Sequence, residues 1–454
     1  MSEFVFKGLL QENGWLENAV VKTDDFGIII SIESDSDRQD GRDYAIPGFQ
    51  NAHSHAFQYA MAGLAELHST SKTKNDFWSW RKIMYELALN ITPDQMEDIA
   101  VMLYKEMLRN GYTHVAEFHY LHHDISGNKY NNCSEMGERI IAAAKRAGIK
   151  LTLVPIFYQN GGFGKKAEQD QRRFISSSFN DYKNLVEASI SSSKNYEHSS
   201  VAYGIHSMRA VSTQDIIKLS KEKENGIPFH IHVSEQLKEI EDSIKFLGLR
   251  PVDWLSEHIN LNSDYHLVHA THLTQKEIEC IAKSQANVVL CPSTEGNLGD
   301  GIFPLNEFLK HEGRWSIGTD SHVGLNPFEE LRILDYGQRL ISHNRNTFGN
   351  EISGDNGSIA ISSALINGRK AMGIEQKQFF EVGKPLDALV ISDQHPLIQT
   401  SSLKNLSNTM VYSSDLSMYK GTIVNGDWKI KEGQHADDNI HIDFMRTLNV
   451  LKVR

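Results

Sequence analysis

The sequence lacks the features that mark several large classes of protein. Its three cysteines are too few and too widely spaced in 454 residues for a disulfide framework. No apolar run reaches the ~18 residues of a membrane-spanning helix, and none of signal length follows Met1. There is no basic excess, because 46 lysines and arginines face 58 acidic residues, for a net charge of −12. We therefore expect a cytoplasmic protein that binds neither nucleic acid nor membrane.

What the sequence has in quantity is histidine, with 21 residues. The rest of the composition is ordinary for a globular protein, at 40% hydrophobic and 23% charged residues. The length allows several domains, or one large α/β domain with an appendage. Because the histidines are numerous, their spacing must decide which of them carry chemistry.

The two ends of the chain share one pattern. Residues 3–33 and 384–432 alternate apolar and polar positions, as half-buried antiparallel strands do. The NGD at 425–427 is typical of a hairpin turn. We predict one small β-sandwich-like domain built from both ends, residues 1–47 and 380–454. The alternative is two unrelated β fragments.

Between the ends, short apolar strands alternate with helices, which predicts βα units and a parallel sheet. One helix is well marked, since Thr92 is a typical cap, Pro93 a typical first residue and Gly111 a typical stop. Eight strands over about 270 residues favour a (β/α)8 TIM-like barrel, here residues 48–379. A doubly wound sheet is the rival fold, but no glycine-rich nucleotide loop supports it. Residues 159–182 are interpreted as a long loop.

Groups able to bind a metal stand at the ends of four predicted strands. They are His53 with His55, His232, His269 and Asp320, and Glu235 follows His232 by three residues. In a barrel these ends meet at one face, where active sites form. Imidazoles and a carboxylate suit Zn²⁺ with one position open to water. Each group alone is ordinary, as a chance H-x-H, a core histidine or a capping aspartate, but four such strand ends together predict a metal site.

At this point a family resemblance is evident. PGFQNAHSHAF, HIHVSEQ, LVHATH, CPSTEGNLGDG and IGTDSH resemble the amidohydrolase superfamily, in its single-metal deaminase branch. More narrowly, HSHAFQYAMAGLAE, FWSWRKIMY, AEFHYLHHD, GFG followed by QRRFI, and HSMRAV resemble the formimidoylglutamate deiminases. The resemblance covers nearly the whole chain. One departure is Tyr59, where the family is expected to have arginine; it is not at a ligand position.

The resemblance implies a function and a set of roles. The family hydrolyses N-formimidoyl-L-glutamate to N-formyl-L-glutamate and ammonia in histidine degradation. Carried over, the metal ligands are His53, His55, His232 and Asp320, with one Zn²⁺ per subunit; Fe²⁺ would accept similar ligands. Glu235 would shuttle protons, His269 would lie beside the reacting water, and Asp320 would also act in catalysis. Substrate contacts would fall on Gln58, Arg81, Tyr120, His206 and Arg209. A homodimer is also implied.

The residues support this independently. Burying a dicarboxylate substrate needs cations with fixed hydrogen-bond geometry, the usual role of arginine. Arg209 follows the fourth predicted strand, whereas Arg81 could equally be a solvated helix residue. The pair His122 and His123 is interpreted as histidines of a loop, or as histidines that support the metal ligands from behind, rather than as a second metal site. Because no lysine ends a predicted strand, one metal is favoured over two.

Two rival functions stay open. The first is another deaminase or chlorohydrolase of the same branch, acting on a nucleobase or triazine-like ring. The metal site cannot separate it from the leading hypothesis, but paired arginines can, because a flat neutral base needs no such cations. The second is a non-catalytic structural barrel, which would be expected to have lost some of the metal-site groups.

Overall fold

A computed structural model describes residues 1–38, 40–66, 77–349, 354–376 and 378–452. Its strands, in chain order, are β1 (Ser2–Gln11), β2 (Gly14–Thr23), β3 (Ile29–Ser34), β4 (Arg42–Pro47), β5 (Phe49–Ser54), β6 (Tyr112–His119), β7 (Lys150–Phe157), β8 (Asn160–Gly162), β9 (Lys165–Lys166), β10 (Ser199–Val201), β11 (Tyr203–Ser207), β12 (Phe229–Val233), β13 (Tyr265–His269), β14 (Asn287–Leu290), β15 (Arg314–Ile317), β16 (Ala388–Ile391), β17 (Tyr419–Val424), β18 (Asp427–Lys431) and β19 (Gln434–His435).

The helices surround and connect these strands. They are α1 (Phe77–Ala88), α2 (Pro93–Arg109), α3 (Glu135–Ala147), α4 (Phe179–Ser193), α5 (Thr213–Glu222), α6 (Leu237–Leu247), α7 (Pro251–His258), α8 (Gln275–Ser284), α9 (Pro292–Leu298), α10 (Leu305–Lys310), α11 (Pro327–Ser342), α12 (Asn356–Ala371), α13 (Pro396–Thr400), α14 (Leu403–Ser413) and α15 (Ile440–Leu451). Among these described helices, none combines the length and apolar character needed to cross a membrane.

The central unit is a barrel of eight parallel strands, which confirms the predicted fold class. The strands pair in the order β5, β6, β7, β11, β12, β13, β14, β15. The barrel closes between β5 and the segment after β15. There the backbone N–H groups of Thr319 and Asp320 donate to His53 O at 3.1 and 3.0 Å, and Ser54 and Asp320 form an isolated parallel β-bridge. Every residue of β5, β6 and β12 is buried, as expected of strands covered on both faces.

Both chain ends contribute to one further sheet. Its strand order is β19-β18-β17-β16-β4-β1-β2-β3, and the two halves join where β4 and β16 pair antiparallel. The predicted hairpin turn is present between β17 and β18, and both Asn425 and Gly426 have positive φ. Gly27 lies against this turn, where a Cβ atom would come within 1.7 Å of Asn425 O. The exact domain boundaries, at 47/48 and 379/380, stay a prediction.

Local sequence signals position the elements near the barrel mouth. Thr92 caps α2 by accepting the N–H of Gln95, whose side chain accepts the N–H of Thr92 in return.

Residues 159–182, interpreted from sequence as a long loop, contain regular secondary structure. They contain the β8–β9 hairpin and a 3₁₀ turn at Gln169–Gln171, and α4 begins at Phe179. The sequence does not predict this hairpin, because strands of two or three residues are too short to show a periodic pattern.

Candidate active site

Three histidine side chains converge at the carboxyl end of the barrel. His53 and His55 stand two apart at the end of β5, and His232 lies on β12. The Nε2 atom of His53 is 3.1 Å from Nε2 of His55 and 3.0 Å from Nε2 of His232. Asp320 approaches the same point, with Oδ1 3.2 Å from His55 Nε2 and 3.6 Å from His53 Nε2. The sequence-predicted ligand set is therefore brought together.

The hydrogen bonds of two imidazoles fix which nitrogen carries a proton. His55 Nδ1 donates to Phe118 O, and His232 Nδ1 donates to His206 O, both at 2.9 Å. Because a carbonyl only accepts, each Nε2 presents a lone pair to the cluster. His53 Nε2 could donate a proton to only one of these two lone pairs. A cation among the three nitrogens and the carboxylate satisfies all of them, so the donor set fits a divalent metal.

The environment keeps these groups in the ligand form. Burial lowers the pKa of His53 to about 3 and also lowers the pKa values of His55 and His232. Burial alone would raise the pKa of Asp320, but the hydrogen bond from His53 and the neighbouring imidazoles hold that pKa below its usual range. Neutral imidazoles and an ionised carboxylate are the forms that bind metal.

Glu235 and His269 lie beside the cluster. His269 Nδ1 donates to Glu295 Oε1 at 3.2 Å, which turns Nε2 toward Asp320 Oδ2 at 3.7 Å and Glu235 Oε1 at 3.9 Å. Burial acts to lower the pKa of His269, but the carboxylates of Glu235, Glu295 and Asp320 raise it to about 10. Burial raises the pKa of Glu235. The site thus pairs a cationic donor with a carboxyl group whose proton affinity is raised by burial.

The backbone at the strand ends is unusual in a way that aims these side chains. His269, Ala270 and Asp320 have positive φ values of 68°, 49° and 47°, and Ser234 and His322 have 52° and 64°. Non-glycine residues adopt this region at a cost on the order of 1–3 kcal/mol each, so it clusters where surrounding structure holds it in place. Here it turns the chain sharply after β12, β13 and β15, next to the histidine cluster.

A cavity of about 730 Å³ opens above the cluster. The sequence-predicted site residues that line it are His55, Gln58, Arg81, Tyr120, His206, Arg209, His232, Glu235, His269 and Asp320, while His53 lies buried beneath. Burial first, then the charges of Arg209 and Arg81, lower the pKa of His206. Both predicted cations therefore act on one neutral side chain in the same cavity as the metal ligands.

Other predicted residues occupy supporting positions. His122 and His123 each direct Nε2 to a backbone carbonyl, of Ile156 at 2.9 Å and Ile175 at 2.7 Å. Tyr59 stacks on Phe444 of α15, with ring centroids 5.6 Å apart. Glu117 accepts hydrogen bonds from Ser54 Oγ, at 2.6 Å, and from the N–H of Ala56, and so braces the turn that carries His55.

Sequence reasoning missed several residues at the site. Tyr158 follows β7 and lines the cavity, so the strand-end rule could have found it. Tyr85 lies one helical turn after Arg81 and also lines the cavity. Glu295 and Gln171 lie within the motifs CPSTEGNLGDG and QRRFI, but no spacing rule reveals their partners. Cys291 also lies close, since ligand atoms of His269, Cys291 and Asp320 are within 4.8 Å of one another.

Comparisons with known proteins show the family and the fold. The chain matches the amidohydrolase family over residues 44–429. It is 39% identical over 440 residues to the formimidoylglutamate deiminase of Pseudomonas aeruginosa, covering 96% of each protein. A crystal structure of an amidohydrolase from Brucella melitensis superposes with a TM-score of 0.93 at 37% identity, over 100% of both chains. A zinc-bound adenosine deaminase from Xanthomonas campestris has a TM-score of 0.82 at 19% identity, over 100% of this chain and 98% of that one, a likeness of fold alone.

Proposed function

This chain belongs to the amidohydrolase family, and on that premise we propose that it hydrolyses N-formimidoyl-L-glutamate and water to N-formyl-L-glutamate and ammonia, a step of histidine degradation. One observation carries the substrate choice: a single cavity joins the histidine cluster to two guanidinium groups, Arg81 and Arg209. A substrate with two carboxylates needs two such cations when it is buried. A flat neutral base does not.

The metal in this proposal is one Zn²⁺ per subunit, held by His53, His55, His232 and Asp320; Fe²⁺ would accept the same donors. When bound, such an ion supplies Lewis acidity and brings the pKa of a bound water toward ~7. The support is the meeting of three imidazole nitrogens and a carboxylate described above.

Proton transfer is assigned to the chain's own groups. Glu235 would take a proton from the attacking water and deliver it to the imino nitrogen, making the formimidoyl carbon more electrophilic. His269, with Nε2 facing the cavity side of Asp320, would donate to the oxygen that becomes negative at the tetrahedral stage. Asp320 would take the second proton from the hydroxyl group of the tetrahedral intermediate and pass it to the amino group, which leaves as ammonia while the product carbonyl forms.

The remaining cavity residues would hold the substrate. Gln58 Nε2 donates to Tyr120 Oη at 3.0 Å, so the two side chains form one polar wall of the cavity. The His206 ring packs against Tyr120, with centroids 5.7 Å apart, and would donate a hydrogen bond to the substrate. Arg81 and Arg209 would bind the two carboxylates of the substrate. Because Arg209 Nη2 is also 3.5 Å from Glu235 Oε2, the carboxylate that it binds would be placed close to the reacting carbon.

Two coarser properties complete the proposal. We place the enzyme in the cytoplasm as a homodimer; the three cysteines are all free, as a reducing compartment favours. Two-fold assemblies are the commonest oligomers of soluble proteins. Light scattering on a sizing column measures the oligomeric state directly.

The proposed reaction is tested by identifying its products. Zinc-loaded protein incubated with N-formimidoyl-L-glutamate in H₂¹⁸O should release ammonia and give N-formyl-L-glutamate with one ¹⁸O in the formyl group. Release of free glutamate, or an unlabelled formyl oxygen, would contradict hydrolysis at the formimidoyl carbon.

A further inference from the structure

A buried glutamine links the loop after β7 to two phenols of the cavity. Gln171 is fully buried in the 3₁₀ turn. Its Oε1 accepts the N–H of Glu168 at 2.8 Å, which fixes the orientation of the amide. Its Nε2 then donates to Tyr158 Oη at 2.9 Å and to Tyr85 Oη at 3.2 Å. All the hydrogen-bonding capacity of the Gln171 amide nitrogen is spent on these two phenols.

The same phenol of Tyr85 also receives Arg81. Arg81 Nε donates to Tyr85 Oη at 2.7 Å, and Arg81 Nη2 contacts the same oxygen. A phenolic oxygen has two acceptor positions. With Gln171 and Arg81 donating to it, Tyr85 Oη is saturated as an acceptor. Tyr85 and Tyr158 also lie within hydrogen-bond reach of each other, so in that pair the Tyr85 hydroxyl donates to Tyr158 Oη.

Tyr158 Oη therefore accepts hydrogen bonds from Gln171 and Tyr85, and its own hydrogen is left to donate. Arg81 and Tyr158 both line the cavity, so the guanidinium and the hydroxyl face the same space. Burial raises the pKa of Tyr158, which keeps its hydroxyl protonated. The Tyr158 ring also packs edge-on to His206, with centroids 4.7 Å apart.

We propose that Tyr158 is a substrate-binding residue that, together with Arg81, holds one carboxylate of the substrate, and that Tyr85 and Gln171 are the positioning residues that point the Tyr158 hydroxyl hydrogen into the cavity. The identity of the substrate rests on the proposed function; the chemical class of the ligand, a small carboxylate, rests on the donors themselves. A guanidinium and a hydroxyl donor lining one cavity match the acceptor sites of a carboxylate.

The direct test is Tyr158→Phe, which removes one hydroxyl and keeps the ring. A hydrogen bond to a charged group is worth on the order of 10- to 100-fold in binding, so KM for N-formimidoyl-L-glutamate should rise by about that factor. The maximal rate should change by less than about threefold, because the carboxylate is held equally in ground and transition states. Tyr196→Phe is the matched control, since its buried hydroxyl donates to Ile149 O; its KM should stay at the wild-type value.

Substrate analogues show whether the hydroxyl reads a carboxylate. N-formimidoyl-4-aminobutyrate and N-formimidoyl-L-2-aminobutyrate each lack one of the two carboxylates. The effect of Tyr158→Phe on kcat/KM should disappear on one analogue and persist on the other. An effect that persists fully on both would overturn the assignment, as would an unchanged KM on the natural substrate.

Gln171→Glu tests the positioning role with a side chain of the same shape. A carboxylate accepts and cannot donate, so Tyr158 would turn its hydroxyl hydrogen toward it and away from the cavity. KM should rise as in Tyr158→Phe, and combining the two changes should add little further. A rise in KM for Tyr158→Phe but not for Gln171→Glu would remove Gln171 from the proposal.

Binding of glutarate by calorimetry separates this inference from the proposed function. If the wild-type protein fails to hydrolyse formimidoylglutamate, the proposed function is wrong, but the carboxylate site is still tested. Glutarate should bind the wild-type protein and bind Tyr158→Phe at least about tenfold more weakly. No binding to the wild-type protein, or equal affinity for both, would contradict the carboxylate site itself.

Discussion

Arg209 and Glu235 face each other across the cavity, with Nη2 and Oε2 3.5 Å apart. The two side chains are otherwise assigned to different tasks, one to substrate charge and the other to proton transfer. Burial raises the pKa of Glu235, whereas the charge of Arg209 opposes that rise. A substrate carboxylate bound at Arg209 would weaken this opposition. Substrate binding and the proton affinity of Glu235 are therefore coupled through one contact.

The first prediction concerns this cation. Arg209→Met should lower kcat/KM on formimidoylglutamate by roughly 10- to 10³-fold, because a charge-assisted pair left half-made costs on the order of 2–5 kcal/mol. Metal content should stay at the wild-type value. Arg332→Met, which removes a bond to Ser414 O away from the cavity, is the control. If the Arg209 variant kept the wild-type kcat/KM on formimidoylglutamate, Arg209 would not bind a carboxylate of the substrate.

The second prediction concerns the metal ligands. His53→Ala should lose most of its zinc and its turnover, because it removes a direct metal ligand. Removing a residue that only hydrogen-bonds to a ligand typically lowers metal affinity by ~10–100-fold, and loss of the ligand itself should lower it further. Metal analysis of the purified variant measures this. His311→Ala removes an exposed histidine and should keep full occupancy. Full zinc occupancy in the His53 variant would show that the ligand set is wrong.

The third prediction separates metal binding from proton transfer. Glu235→Gln keeps the shape of the side chain but cannot carry the proton. The variant should retain zinc while kcat falls by ~10²-fold or more, the usual scale of general acid–base catalysis. Rapid-quench assays with metal analysis on the same sample provide both values. Turnover close to that of the wild type would assign the proton to another group.

The fourth prediction concerns stability and pH. Glu330 is buried and accepts from the N–H of Ser293 at 2.9 Å, yet burial raises its pKa to about 8. The folded protein therefore holds this proton more tightly than the unfolded chain. Stability falls as pH rises from ~4.5 to 8, because the unfolded chain releases the proton over this range while the folded protein keeps it. The wild-type protein should lose about 1–3 kcal/mol more unfolding free energy than Glu330→Gln does between pH 5 and pH 8.5. Denaturant unfolding at both pH values measures this.

The neighbouring residue supplies the control. Glu329 is exposed on the same helix, and Glu329→Gln should leave the pH dependence of stability unchanged. If Glu330→Gln and the wild-type protein lose stability in parallel between pH 5 and 8.5, the carboxyl group is not protonated in the folded state.

The parts of this molecule that follow periodic rules could be predicted from sequence. The eight barrel strands and the convergence of His53, His55, His232 and Asp320 follow from apolar runs that end in polar groups, since parallel strands bring those ends to one face. The sheet from both chain ends follows from alternation of apolar and polar residues.

What could not be predicted depends on contacts between distant, aperiodic segments. Gln171 reaches Tyr85 across 86 positions of sequence, and no pattern around either residue encodes that pairing. Glu295 supports His269 from the first turn of α9, and its role appears only when β13 and β14 are side by side. The β8–β9 hairpin was missed because its strands are too short to show a period.

The central claim is that the cavity selects a dicarboxylate amidine over a neutral ring. The most direct measurement is kcat/KM for ammonia release by the zinc-loaded protein on N-formimidoyl-L-glutamate, guanine, adenosine and cytosine under one set of conditions. We predict that formimidoylglutamate is preferred by at least about 10³-fold, since the three bases carry no carboxylate for the half-buried Arg81 and Arg209 to bind. Comparable or faster release from any of the three bases would contradict the account and favour a nucleobase deaminase.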